Sequence, residues 1–124
     1  AAIAPHSGQM LYLPIKAPTF QVSVLHLHAL DDSSVPYYGN PYEQAVDDIL
    51  NHWAAWYSCS QQPDTTFQNA DYMIKEWACS GNTEIKLYLL NEGGHNWFNT
   101  SNSCIEANDV IWDFFKAHPK NNNR

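Results

Sequence analysis

The segment from Phe20 to His28 constrains the fold more than any other part of this 124-residue chain. It reads Phe-Gln-Val-Ser-Val-Leu-His-Leu-His, a nearly continuous run of apolar and β-branched residues. Such a run predicts a strand covered on both faces, as in a parallel sheet with helices on either side. The composition can supply that core, because 44% of the residues are hydrophobic and 14% are aromatic.

Further strands and helices are predicted on either side of this segment. Ala1–Ala4 and Glu84–Leu90 are apolar enough to form strands. Asn40 is a suitable N-cap for a helix that presents Val46, Ile49, Leu50 and Trp53 at helical spacing. Residues 58–70 are polar and predict a loop. A second helix is expected over Ile105–His118, where Pro119 stops it.

Strands that alternate with helices indicate parallel pairing with right-handed crossovers. We therefore expect an α/β fold with a mostly parallel sheet and flanking helices. Asp31 and Asp32 follow one predicted strand, and His95 follows the next. Because ligands of such sheets bind at the carboxyl ends of the strands, these side chains are predicted to share one rim.

An acidic residue followed about 60 residues later by a histidine matches the order of the last two members of a serine-type triad. In that chemistry an imidazole takes the proton of the nucleophile, and a carboxylate orients the imidazole. The sequence contains no Gly-x-Ser-x-Gly motif, so the nucleophile is expected outside it, with Ser7 as a weak substitute. An alternative is a metal cluster of His26, His28, Asp31 and His95.

Several segments resemble one family of enzymes. His28–Tyr37 is similar to the His-Gly-Thr-x-Asp-x-x-Val-Pro-Tyr segment of secreted α/β-hydrolase esterases, the polyhydroxybutyrate depolymerase and feruloyl or acetylxylan esterase group. Leu87-Tyr88 followed by Gly93–Trp97 resembles their Leu-Tyr…Gly-Gly-His-x-Trp segment. Ile111–Pro119 resembles their closing helix, and Ala1–Gly8 resembles the strand after their nucleophile helix.

The resemblance implies a carboxylic-ester hydrolase in which Asp32 is the triad acid and His95 the general base, with Asp31 as the alternative acid. It also implies a secreted protein with a disulfide between Cys59 and Cys79 and without a cofactor or metal. The substrate would be an ester linked to a polymer, such as a polyhydroxyalkanoate or a feruloylated or acetylated polysaccharide.

Three aromatic residues flank the two predicted catalytic loops, namely Tyr37, Tyr38 and Trp97. They are candidates for stacking on an aromatic or polyester substrate, and ordinary packing is the alternative. If the chain is not an enzyme, such a cleft would make it a binding module or an inactive remnant.

The net charge of −7 disfavours nucleic acid and anionic membranes as partners.

The apolar residues at the amino end read as the end of a buried strand. We therefore expect residues 1–124 to be one partial domain, the C-terminal part of an α/β-hydrolase sheet. Its cut edge near Ala1–Ala4 and Phe20–Leu27 is expected to pair with a second copy or with a complementary nucleophile-bearing half.

Overall fold

The computed structural model describes residues 1–11 and 16–120. Within these ranges the chain forms five strands and two helices. The strands are β1 (Ala2–Ile3), β2 (Ser23–Ala29), β3 (Asp64–Gln68), β4 (Tyr72–Trp77) and β5 (Ile85–Leu90). The helices are α1 (Val46–Trp56) and α2 (Ala107–Ala117).

All the described strands belong to one sheet with the order β1-β2-β5-β4-β3. The ladders β1/β2 and β2/β5 are parallel, whereas β5/β4 and β4/β3 are antiparallel. The prediction of a mostly parallel α/β-hydrolase sheet is therefore wrong, because the sheet is mixed.

The sheet is mixed because of a hairpin, β3–β4, whose first strand lies within the loop expected over residues 58–70 and whose second strand was not predicted. The side-chain oxygen of Asn69 accepts hydrogen bonds from the backbone N–H groups of Asp71 and Tyr72, which closes the turn between the strands. Every residue of β3 is exposed, so this strand lacks the buried apolar positions from which a strand is recognised in a sequence.

Strand β2 lies inside the sheet, and all seven of its residues are buried. Val24 packs in a core with residues of α1, whereas Leu25 and Leu27 pack in a second core with residues of α2. Because neighbouring side chains of a strand point to opposite faces, β2 is covered on both sides, as its composition predicts. The expectation that Phe20–Leu27 forms a bare edge is wrong, since the outer strands are β1 and β3.

Helix α1 begins six residues later than Asn40, where the sequence predicted its N-cap. The Asn40 side chain instead accepts a hydrogen bond from the N–H of Tyr42, and the backbone N–H of Asn40 donates to Glu43. Gly39 has a φ of +71°, a value that glycine adopts without strain. Residues 39–43 thus form a tight turn that delays the helix until Val46.

Cys59 and Cys79 form a disulfide between the end of α1 and the segment after β4, which confirms the predicted pair. Cys104 is a free thiol at the surface. Disulfides of this kind persist in oxidising compartments. Both helices have 11 residues, and in the described part of the chain no helix is long and apolar enough to cross a membrane.

We expect the double substitution Cys59→Ser with Cys79→Ser to lower the free energy of unfolding by about 3 kcal/mol, since the bond restricts the unfolded chain. Urea unfolding measures this loss. As a control, Cys104→Ser should leave the urea midpoint unchanged. Thiol titration of the unfolded, unreduced wild-type protein should find one thiol, and a result of three would contradict the bridge.

Candidate active site

The parallel ladder between β2 and β5 brings two loops to the same end of the sheet. His28 pairs with Leu89 and Ala29 pairs with Leu90, so the two strands end side by side. The N–H of Leu30 continues the ladder by donating to the carbonyl of Leu90. The loop after β2 carries Asp31 and Asp32, and the loop after β5 carries His95, so all three lie at one rim.

The two neighbouring aspartates contact different parts of the loop after β5, here called the histidine loop because it carries His95. Asp32 Oδ2 lies 2.9 Å from His95 Nδ1, which donates a hydrogen bond to it. Asp31 Oδ1 instead accepts the backbone N–H groups of Gly93 and Gly94, at 3.0 and 2.8 Å. Asp32 is thus the carboxylate on the imidazole, while Asp31 holds the turn that presents it.

Asp32 is oriented by hydrogen bonds on both oxygens and is only 4% exposed. Its Oδ1 accepts the N–H groups of Ser34 and Val35, at 2.9 and 2.8 Å, and this leaves Oδ2 to His95. Burial alone would raise the pKa of Asp32, but the hydrogen bonds from Val35, His95 and Ser34 outweigh it and hold the pKa below its ordinary value. The carboxylate therefore remains ionised at neutral pH.

Gly93 and Gly94, which precede His95, are each required to be glycine for a different physical reason. A Cβ on Gly93 would lie 2.8 Å from the ring of Phe98, which is fully buried. Gly94 has a φ of +58°, in the left-handed region that favours glycine. Together they let the chain turn tightly enough to place His95 over Asp32 with 46% of its side chain exposed.

The three candidate substrate-binding aromatics differ in how much ring they expose. Tyr37 is 3% exposed, and its hydroxyl donates to Asp47 on α1. Tyr38 is 76% exposed and meets the Tyr37 ring edge-on, with centroids 5.0 Å apart. Trp97 is 50% exposed. Tyr38 and Trp97 thus offer ring surface to a ligand, while Tyr37 packs beneath Tyr38.

His6 braces the histidine loop, a role that the sequence did not indicate. Its ring stacks on Trp97 with centroids 4.5 Å apart, and its Nε2 accepts the backbone N–H of Phe98. Burial lowers the pKa of His6, so the ring is neutral and its proton lies on Nδ1, which donates to Ser7 Oγ. In that tautomer His6 does not take a proton from Ser7. No sequence signal finds this contact, because His6 and Phe98 are 92 residues apart.

Two histidines of the alternative metal cluster, His26 and His28, contact each other instead, while His95 contacts Asp32. His26 Nε2 lies 3.1 Å from His28 Nδ1, and both rings are buried. Over residues 1–11 and 16–120, no group of three or more His, Cys, Asp and Glu side chains is placed to hold a metal ion.

Comparison with known proteins adds no assignment to this geometry. No family model matches the chain, and no curated protein is significantly similar to it. The Asp32–His95 pair and the motifs around it are therefore the features that bear on function.

The buried histidines make stability depend on pH. Burial, with a smaller contribution from His28, lowers the pKa of His26 to about 3, so only the unfolded chain takes up this proton between about pH 6.5 and pH 3. The stabilisation is fully present above pH 6.5 and is lost as the pH falls. Each such group contributes a slope of about 1.4 kcal/mol per pH unit.

We therefore expect the urea midpoint of the wild-type protein to fall between pH 7 and pH 4.5, and His26→Gln to flatten that fall. Above pH 4.5 the contribution of Asp32 is retained, because even the unfolded chain protonates this carboxyl only near its ordinary pKa of 3.8. An equal slope in His26→Gln would contradict the assignment.

Proposed function

We propose that the chain carries the acid and the base of a serine-type carboxylic-ester hydrolase, with Asp32 as the acid and His95 as the base. The observation that supports it is the 2.9 Å contact between Asp32 Oδ2 and His95 Nδ1 at a partly exposed rim. A buried carboxylate on one imidazole nitrogen with the ring open to solvent is the arrangement that a nucleophile–His–Asp mechanism needs.

The proposed proton path follows from the tautomer of His95. Since Nδ1–H donates to Asp32, the neutral ring has its lone pair on Nε2. Nε2 would take the proton of a serine hydroxyl while the serine oxygen attacks the ester carbonyl. The same proton would then pass to the departing alcohol, leaving an acyl-enzyme. Water would hydrolyse the acyl-enzyme by the same path, and Asp32 would stabilise the imidazolium in each step.

The nucleophile of this mechanism would lie outside the 124 residues. None of their serines stands in a Gly-x-Ser-x-Gly segment. Ser7 is buried and accepts a hydrogen bond from His6, whose proton arrangement does not activate it. The serine, with most of the oxyanion hole, would come from a complementary segment.

The proposed substrate is an ester linked to a polymer, such as a polyhydroxyalkanoate or a feruloylated or acetylated polysaccharide. The exposed rings of Tyr38 and Trp97, on the two loops that carry Asp32 and His95, support an aromatic or polyester ligand. The disulfide between Cys59 and Cys79 is consistent with a secreted enzyme, which is part of the same proposal.

In the protein assembled with its nucleophile-bearing segment, His95→Gln should lower kcat/KM on p-nitrophenyl acetate by about 10³-fold or more, because the proton has no acceptor. Asp32→Asn should lower it by about 10⁴-fold, because an amide in place of the carboxylate favours the wrong imidazole tautomer. The assay is repeated on feruloylated arabinoxylan and on poly-3-hydroxybutyrate to identify the ester class.

His52→Gln, on α1, is the control and should keep the wild-type rate. An organophosphonate probe should label one serine outside the 124 residues, and mass spectrometry identifies it. Binding of the polymers without any hydrolysis would overturn the esterase proposal in favour of a binding module. Labelling of Ser7 would contradict the proposed source of the nucleophile.

We also propose that the edge strand β1 is where the complementary segment or a second copy docks. Among residues 1–11 and 16–120, β1 pairs with no strand except β2, and its residue Ile3 is 39% exposed. Open strand edges recruit other chains. Light scattering of the 124-residue chain should therefore give a mass above 14.1 kDa or a shift on addition of the nucleophile-bearing segment. A 14.1 kDa monomer that ignores this segment would contradict the docking proposal.

A further inference from the structure

Strand β2 carries two buried histidines that the proposed mechanism does not use, and one of them, His28, lies beside Asp32. His26 and His28 alternate along the strand, so their side chains share one face. Their rings are nearly parallel, with an interplanar angle of 18° and centroids 5.3 Å apart. Buried polar side chains of this kind need specific hydrogen-bond partners, and both have them.

The partners of these rings determine where their protons lie. The carbonyl oxygen of Val35 lies 2.8 Å from His28 Nε2 and can only accept, so Nε2 carries a proton. Burial lowers the pKa of His28, although the hydrogen bond to Val35 and the charge of Asp32 oppose this, so the ring is neutral and Nδ1 is bare. Nδ1 therefore accepts the proton of His26 Nε2 at 3.1 Å. Both rings are thus assigned as Nε2–H tautomers.

Val35 connects this pair of histidines to Asp32. Its carbonyl accepts from His28, and its N–H donates to Asp32 Oδ1 at 2.8 Å. His28 Nε2 also lies 3.7 Å from Asp32 Oδ2, which is too far for a hydrogen bond but places the N–H dipole close to the carboxylate. The backbone that orients Asp32 is therefore held to β2 through one imidazole.

We propose that His28, in the neutral Nε2–H form that the Val35 carbonyl requires, is a positioning residue that holds Val35 and thereby keeps Asp32 Oδ2 directed at His95 Nδ1. The relevance to catalysis rests on the proposed function. The positioning itself concerns the contact between Asp32 and His95, and it is measured without any turnover.

The protein labelled with ¹⁵N-histidine tests this by NMR. Long-range ¹H–¹⁵N spectra give the tautomer of each ring, and we expect His26 and His28 as Nε2–H and His95 as Nδ1–H. The Nδ1 proton of His95, held by a buried carboxylate, should resonate at low field and exchange slowly with water. A His28 ring found as Nδ1–H in the wild-type protein would overturn the proposal, whatever the variants do.

His28→Leu and His28→Gln are the informative pair of variants. His28→Leu fills the space without a donor, so the exchange rate of the His95 Nδ1 proton should rise by at least about tenfold as Val35 is released. His28→Gln retains a side-chain N–H that reaches Val35 and should restore slow exchange. His52→Leu makes the same chemical change on α1 and should leave exchange unaltered.

A role for His28 in packing alone predicts a different result. His28→Leu would then change the urea midpoint but leave the exchange rate of the His95 Nδ1 proton at the wild-type value, and this result would overturn the proposal. If His28→Leu does not fold, His28→Met, which is also apolar and has no N–H for Val35, replaces it, and wild-type exchange in that variant would overturn the proposal. If the protein shows these exchange effects but no esterase activity, the proposed function is refuted and the positioning role of His28 stands.

Discussion

The parallel pairing of β2 with β5 is the constraint on which the candidate site depends. Its register runs from Val24 with Ile85 to Ala29 with Leu90, so both strands end at the same level of the sheet. Every other feature of the rim follows from that alignment. A shift of one residue would turn the buried face of β2 toward the other core and move Asp32 away from His95.

Asp32 is the residue that connects the aligned ends of β2 and β5 at the candidate site, because its carboxylate contacts His95. Its carboxylate is desolvated, yet three hydrogen bonds hold it in the ionised form, two from the backbone of its own loop and one from His95. The neighbouring Asp31 uses its carboxylate for the glycine turn across the rim. The two adjacent acidic residues therefore have different roles. Asp31 holds the loop that carries His95, and Asp32 contacts the His95 ring.

Burial of polar groups around this rim has a cost in stability that the hydrogen bonds must offset. His26 and His28 occupy strand positions that apolar residues would fill more favourably, and both stay neutral because burial lowers their pKa values. Each is hydrogen-bonded, and no buried side-chain nitrogen or oxygen in the described ranges lacks a partner. The presence of His26 and His28 in the core, despite this cost, is consistent with a role in orienting Asp32.

The sequence by itself determined the features that depend on local apolar runs and turn residues. These are strands β2 and β5, the helix before Pro119, and the order of an acid and a histidine after two strands. The hairpin β3–β4 was not determined in this way, since its exposed outer strand has no buried pattern and is held by pairing with β4. The choice between Asp31 and Asp32, the burial of Tyr37 and the contact of His6 with the histidine loop were decided only by the tertiary structure. These contacts depend on the distance and direction between side chains from separate segments, such as Asp32 and His95, which are 63 residues apart. Local sequence does not encode those directions; they arise when the two strands pair and their loops meet at one edge of the sheet.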